Sequence, residues 1–150
     1  MACQTIVSFL TADHRHCDEQ LANFEALVQQ RTWPAAQAAW RSFEQATRCH
    51  FDREEQVLFP AFERATGHAG GPTMVMRMEH EQMRALLGPL ATAVAAHDER
   101  RCLDLSESLM LLIQQHNMKE EQVLYPMCDQ VLGEPAAMCR QLEALRPDQG

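Results

Sequence analysis

The sequence predicts an all-α protein, built as an up-down-up-down antiparallel four-helix bundle with a short extra C-terminal helix. The composition is the first indication, because Ala, Leu, Gln, Glu and Met are abundant and aromatic residues make up only 6%. Apolar residues also recur every three or four positions in four long segments, as on the buried face of a helix. Finally, the segment HFDREEQVLFP at 50–60 returns as HNMKEEQVLYP at 116–126, an offset of 116 − 50 = 66 residues.

The length and charge of the chain limit its organisation and its partners. With 150 residues we predict a single domain over 1–150, made of two helical hairpins at about 4–66 and 72–132. A net charge of −8 disfavours nucleic acid and anionic membranes as partners. No basic leader and no run of roughly 20 apolar residues is present, so we expect a cytoplasmic location. The six cysteines are scattered, which favours reduced thiols, most of them buried.

The first hairpin is predicted from two amphipathic segments. A helix over about 4–31 has inward-facing positions at Val7, Leu10, His14, Cys17, Leu21, Phe24 and Val28. A second helix over about 34–65 begins at Pro34, and its inward-facing positions are Trp40, Phe43, Thr47, His50, Glu54, Val57 and Ala61. The glycine-rich segment 67–71 joins the two hairpins.

The second hairpin repeats this pattern. A helix over about 72–96 begins at Pro72 and has inward-facing positions at Thr73, Met76, His80, Met83, Leu87, Leu90 and Val94. The next helix, over about 99–131, has Ser106, Leu109, Ile113, His116, Glu120, Val123 and Met127 and ends before Gly133. A short amphipathic helix over about 135–145 is expected to cover one end of the bundle.

Six inward-facing positions carry imidazole or carboxylate groups, namely His14, His50, Glu54, His80, His116 and Glu120. Counting along each hairpin places its two histidines at about the same level. A buried carboxylate without a partner costs several kcal/mol, against a domain stability of about 5 to 15 kcal/mol. Because no inward-facing position is Lys or Arg, metal cations are the expected partners, and an i, i+4 spacing lets His50 and Glu54 reach one ion.

The number of candidate ligands favours two metal ions. If each hairpin gives two histidines to one ion and both glutamates bridge, each ion has four protein ligands. A bridging oxide or hydroxide would add a fifth ligand and leave about one open position per ion. Imidazole and carboxylate ligands suit iron, and manganese or zinc are possible as well.

On these residues the chain resembles the hemerythrin-like HHE cation-binding domains, over about residues 5–131. The motifs that carry the resemblance are Asp13-His14, His50-x-x-x-Glu54, Glu79-His80-Glu81 and His116-x-x-x-Glu120. The resemblance implies a four-helix bundle that holds a non-haem di-iron centre. Oxygen-carrying hemerythrins have His-x-x-x-His in the third helix and His-x-x-x-x-Asp in the fourth, whereas here Met76 and Glu120 differ. One imidazole fewer leaves the iron more open and argues against simple reversible oxygen carriage.

The leading functional hypothesis is a di-iron protein that binds O2, nitric oxide or peroxide in sensing, detoxification or an iron-centre stress response. Similarity to the di-iron proteins implicated in repairing damaged iron centres supports the last role. Whether the protein is an enzyme stays open. The alternative is a metal-stabilised helical interaction module, or an iron-storage or iron-sensing protein, without small-ligand chemistry.

Four acidic residues beside the motifs allow further expectations. Glu55 and Glu121 lie about 100° round the helix from Glu54 and Glu120, so we expect them to face solvent rather than to bind metal. Asp13 and Glu79 either orient a histidine through a hydrogen bond or are ordinary exposed acids.

Several other residues near the motifs are expected to play packing roles. Met76, Tyr125 and Cys17 are predicted to pack in the core, and a redox-active or nitric-oxide-sensing thiol is the alternative for Cys17. His16, His68 and His97 lie outside the inward-facing positions and are expected to be exposed.

Overall fold

The computed structural model describes residues 4–147, and over these residues the protein is helical with no strand. The first hairpin consists of α1 (Ile6–Gln29), α2 (Trp33–Asp52), a π-helical segment (Arg53–Leu58) and α3 (Phe59–Thr66). The second consists of α4 (Pro72–Ala95), α5 (Glu99–Lys119), a π-helical segment (Glu120–Leu124) and α6 (Tyr125–Leu132). The short C-terminal helix is α7 (Pro135–Glu143). The predicted four-helix bundle with one extra helix is confirmed.

The 66-residue offset extends to the turns that end the helices. Arg31 and His97 follow the ends of α1 and α4, and both have φ 56°. Gly67 and Gly133 follow α3 and α6, with φ 74° and 71°. A left-handed residue after a helix lets the next amide turn back to the last carbonyl groups and stops the helix. Corresponding helices of the two hairpins therefore end at equivalent positions.

A side chain of the second hairpin fixes the start of the first. The Asp129 carboxylate accepts hydrogen bonds from the backbone N–H groups of Ile6 and Val7, at 2.8 and 3.1 Å. These amides have no partner within α1, and a carboxylate also suits the positive end of the helix dipole. The contact ties α1 to α6 across the bundle.

Each π-helical segment leads into a proline, Pro60 or Pro126. Proline has no N–H group, and in a regular α-helix its ring collides with the carbonyl four residues earlier. A π-helical turn adds one residue and relieves that collision. The inward-facing positions that follow Glu54 are consequently Leu58 and Phe62, each at a spacing of four residues.

The π-helical turns overturn part of the predicted helix register. The prediction that Val123 faces the core is wrong, since Val123 is 54% exposed. The prediction for Val57 holds only in part, since Val57 is partly buried and packs at the edge of the core. Leu58 and Leu124 are buried in their place. The prediction assumed regular α-helix through both motifs, and the extra residue in each turn moves the buried face on by one position.

Two apolar clusters fill the bundle, on either side of the six predicted polar residues. The hairpin-end cluster includes Leu21, Phe24, Trp40, Phe43 and Leu90. The C-terminal cluster includes Ile6, Leu10, Phe59, Phe62 and Tyr125, together with Met138 and Leu142 of α7. The polar layer thus lies in a dry interior. Over residues 4–147, every helix is too short or too polar to cross a lipid bilayer.

Candidate metal centre

The six predicted residues meet at one place in the bundle, and each is at most 4% exposed. They form two overlapping groups, one of His14, His50, Glu54 and Glu120 and one of His80, His116, Glu54 and Glu120. Within each group, one potential ligand atom per residue lies within 4.8 Å of all the others. Each hairpin therefore contributes two histidines to one group, and both glutamates belong to both groups.

Each glutamate approaches imidazoles from both hairpins through a single oxygen. Glu54 Oε1 lies 3.3 Å from His50 Nε2 and 2.9 Å from His80 Nε2. Glu120 Oε1 lies 3.0 Å from His14 Nε2 and 3.1 Å from His116 Nε2. This position between the hairpins is the one that a bridging carboxylate requires.

Several of these close contacts are not proper hydrogen bonds. Among the described residues, Glu54 Oε1, His80 Nε2, His116 Nε2 and Glu120 Oε2 are buried without a hydrogen-bond partner. An unsatisfied buried polar atom costs roughly 1 to 3 kcal/mol, and four of them converge here. Cations placed between the imidazoles and carboxylates would satisfy all four. The donor set fits a pair of iron, manganese or zinc ions.

Four further carboxylates hold the imidazoles in place, one on each Nδ1. The Nδ1 groups of His50 and His116 donate to Asp13 and Glu79, both at 2.8 Å. Those of His14 and His80 donate to Glu121 and Glu55, at 2.7 and 2.6 Å. A proton fixed on Nδ1 leaves Nε2 free to bind metal and sets the orientation of the ring.

These contacts show which of the expectations for the four acidic residues are correct. For Asp13 and Glu79 the hydrogen-bonding alternative is confirmed. For Glu55 and Glu121 the expectation of a solvent-facing role is wrong, because both are partly buried and bonded to imidazoles of the other hairpin. The π-helical turn is the reason, since it brings two consecutive glutamates to the inner side of one helix.

Three of the four supporting carboxylates are themselves held by a cation. Arg84 donates to both oxygens of Glu55, at 2.8 and 2.9 Å. The other two pairs are Arg53 with Asp13, at 2.9 Å, and Lys119 with Glu79, at 2.5 Å. Burial would raise the pKa of Asp13 and of Glu55, but the hydrogen bonds with His50 and His80, followed by the contacts with Arg53 and Arg84, lower both to about 2. No cation is paired with Glu121 among the described residues.

The imidazoles of His50 and His116 have a raised affinity for protons in the metal-free centre. Burial would lower the pKa of His116, but the Glu120 carboxylate raises it to about 9. Burial opposes the charge on His50 too, yet Glu54 and the hydrogen bond with Asp13 raise its pKa well above the usual value. Conversely, burial would raise the pKa of Glu120, while His116 holds it well below its usual value. Protons thus neutralise the carboxylates where metal cations would otherwise do so.

Tyr125 is a site residue that sequence analysis missed. Its hydroxyl group donates to Glu54 Oε2 at 2.5 Å, and it also lies 2.9 Å from Glu120 Oε1 and 3.0 Å from His14 Nε2. The expectation of simple packing is therefore incomplete. Phe59 occupies the equivalent position of the first hairpin, so the change from Phe to Tyr at the 66-residue offset was the signal.

A small cavity lies beside the centre on the side of His14 and His50. Its volume, counted as the space open to the centre of a water molecule, is about 20 Å³. A single water molecule needs roughly 10 to 15 Å³ by this measure. The walls are almost entirely apolar. The cavity therefore has room for one molecule of a few atoms next to the candidate metal ligands.

Buried histidines and shared glutamates at the middle of a four-helix bundle define a class of helical metal-binding proteins. Within that class, the chain belongs to the hemerythrin family, because the family model described as the hemerythrin HHE cation binding domain matches residues 5–128. Family membership and the two buried His/Glu groups together indicate metal binding. No curated protein and no solved structure matched the chain.

Proposed function

We propose that the protein is a cytoplasmic non-haem di-iron protein that binds O2, nitric oxide or peroxide. The proposed iron ligands are the six residues of the two overlapping groups: His14, His50, Glu54, His80, His116 and Glu120. His14 and His50 would hold one ion, His80 and His116 would hold the other, and Glu54 and Glu120 would be available to both. The role is sensing, detoxification or a response to damage at iron centres.

One observation carries this proposal, namely that the two groups share Glu54 and Glu120 while a cavity lies open on one side. Two ions with four protein ligands each have incomplete coordination spheres, because iron commonly accepts five or six donors. The cavity beside His14 and His50 provides space for a small ligand there. Its apolar walls favour an uncharged molecule, since a charged one loses its hydration on entry.

When bound, an iron pair would supply redox chemistry and open coordination positions, and the residues of the protein hold the ligands in position and keep a proton at Tyr125. The four Nδ1 contacts hold the imidazoles in the geometry required for binding. The Tyr125 hydroxyl oxygen lies 2.5 Å from Glu54 Oε2 and donates its proton to that carboxylate, in the space between Glu54 and Glu120. Burial, followed by the charges of Glu120 and Glu54, raises the pKa of Tyr125 well above its usual value, so the hydroxyl stays protonated. It is therefore a fixed hydrogen-bond donor inside the site.

The test is to express the protein with ample iron and to measure metal content and ligand response. We expect about two irons per chain, as the two groups require. The reduced protein should change its absorption spectrum when titrated with O2, nitric oxide or peroxide. The variant His116→Ala should lose iron and the response, because it removes one ligand from the second group. His68→Ala is the matched control, since His68 is exposed and far from the centre in sequence.

Two results would overturn the proposal in different ways. Protein that contains no metal after iron-replete expression would refute the di-iron centre itself. Protein with two irons but no spectral response to any of the three ligands would refute the small-ligand function. That second result would favour a helical module in which metal serves the fold, and chelation should then unfold the bundle.

A further inference from the structure

The cavity beside the centre exists because the two hairpins are filled differently. Apart from His14 and His50, its lining residues form three pairs at the 66-residue offset: Cys17 with Met83, Thr47 with Ile113, and Asn117 with Phe51. In each pair the first side chain is smaller than the second. The smaller members of the three pairs, Cys17, Thr47 and Asn117, all line this cavity. Because their side chains are smaller than those of their partners, they leave the space unfilled.

Asn117 is the most exposed of the residues that line the cavity. Seven of the eight lining residues are buried, and Asn117 alone is partly exposed. Asn117 directly follows His116 on α5, and it contributes to the wall of the cavity. It is therefore the lining residue that solvent reaches most readily.

His80, which corresponds to His14 at the 66-residue offset, is covered by Phe51, another residue that lines the cavity. The Phe51 ring stacks on His80 with centroids 4.1 Å apart and an interplanar angle of 23°. The Arg84 guanidinium lies 5.0 Å above the Phe51 ring and completes the cover. His80 is consequently fully buried beneath two layers of side chain.

On the side of the cavity, the two side chains that correspond to Phe51 and Arg84 are smaller. The 66-residue offset puts Asn117 in the place of Phe51 and Asp18 in the place of Arg84. Asp18 Oδ1 is buried and makes no hydrogen bond to any described residue. Asparagine and aspartate cannot cover an imidazole as an aromatic ring and a guanidinium do, so His14 has less cover than His80.

We propose that Asn117 forms the entrance through which small uncharged molecules reach the cavity beside His14 and His50. The entrance depends on side chains alone and so exists in the metal-free protein. The inference rests on the proposed function only for the identity of the ligand that uses it. The apolar walls select for molecules such as O2 and nitric oxide over charged species.

The variant Asn117→Phe tests the entrance by supplying the side chain that position 51 already carries. Phenylalanine at 117 should cover His14 as Phe51 covers His80. The matched control is Met118→Phe, because Met118 is the next residue on α5, is 57% exposed and does not line the cavity. Asn117→Leu is the second closing variant, to be used if Asn117→Phe fails to fold.

The first measurement uses metal-free protein and dissolved O2, which is paramagnetic and broadens NMR signals of nearby methyl groups. In the wild-type protein and in Met118→Phe, the methyl groups of Met83 and Ile113 should broaden more than those of Leu90, which is buried but does not line the cavity. In Asn117→Phe that difference should disappear. Equal broadening of the cavity and core methyl groups in the wild type would overturn the entrance, as would unchanged selective broadening in the closing variant.

The second measurement uses iron-loaded, reduced protein and rapid mixing with nitric oxide. The association rate should fall about tenfold or more in Asn117→Phe, with iron content unchanged and with Met118→Phe equal to the wild type. An unchanged rate in the closing variant would mean that the ligand enters elsewhere, and would refute the inference. If the wild type does not respond to nitric oxide at all, the proposed function fails, while the O2 measurement still decides whether the entrance exists.

Discussion

Replacing Tyr125 with phenylalanine isolates the contribution of one buried hydroxyl group to the centre. The change should leave packing intact, because Phe59 occupies the equivalent position and lies against His80 with ring centroids 5.7 Å apart, close to the 5.5 Å between Tyr125 and His14. What disappears is the hydrogen bond to Glu54 Oε2, together with the contact to Glu120. A hydrogen bond to a charged partner is worth roughly 1.5 to 3 kcal/mol.

We therefore expect Tyr125→Phe to reduce the free energy of unfolding of the metal-free protein by about 1.5 to 3 kcal/mol. For a chain of this size each kcal/mol corresponds to a shift of about 2 to 4 °C in Tm, so the melting temperature should fall by about 3 to 12 °C. Urea unfolding and thermal melting, both followed by circular dichroism at neutral pH, measure the change.

A double-mutant cycle with Glu54→Gln assigns the loss to the tyrosine and glutamate pair. Residues in direct contact typically show coupling energies of about 0.5 to 3 kcal/mol. The reasoning would be refuted if Tyr125→Phe unfolded within about 0.5 kcal/mol of the wild type, which is the range of an ordinary surface substitution. A cycle with additive effects would also refute it, since the hydroxyl would then act through some other group.

Three more predictions concern metal affinity and protons. Glu55→Gln should weaken iron binding about ten- to a hundredfold in competition with a chelator, because His80 loses its orienting carboxylate, whereas the exposed Glu19→Gln should not; equal affinities would contradict this. Iron binding at pH 7 should release protons into a weakly buffered solution, because the pKa of His116 is about 9 and that of His50 is raised as well; a titration without acidification would contradict it. The metal-free protein should also lose stability in alkali. His116 has a higher pKa folded than unfolded, so its contribution, on the order of 3 kcal/mol, is complete below about pH 6.5 and lost as the pH rises to about 9. The reverse holds for Glu55, whose folded pKa of about 2 means that its contribution is lost as the pH falls below about 4.5. Urea unfolding across the pH range would show a maximum between these limits, and a flat profile would exclude both effects.

Much of the centre was predictable because its histidines lie on regular α-helices and its two glutamates lie at the very start of the irregular turns. His14, His50 and their partners at the 66-residue offset follow the spacing of three and four residues, and Glu54 and Glu120 each follow a histidine by four residues. The same reasoning failed shortly afterwards, at Val123, and held only in part at Val57. Pro60 and Pro126 were the available signal, because a proline in a long helix needs the earlier carbonyl to move away, and a π-helical turn is one way to achieve that.

The supporting residues were harder to predict, because their roles depend on contacts between hairpins. Glu121 supports His14 and Glu55 supports His80, and in both cases the two partners come from different hairpins. Periodicity within one helix carries no information on such pairs. One sequence signal for these supporting roles was available, namely that Glu55 recurs as Glu121 at the 66-residue offset.

The exchange of supporting carboxylates between the hairpins has a consequence for how the molecule assembles. Asp13 and Glu79 orient histidines of their own hairpin, whereas Glu55 and Glu121 orient histidines of the opposite one. A hairpin in isolation would hold one ring in place and leave the other free to rotate, so it could not offer a finished coordination sphere to any ion. Docking of the two hairpins therefore completes the set of oriented imidazoles, and the four rings are all held in place only when both halves of the repeat are present.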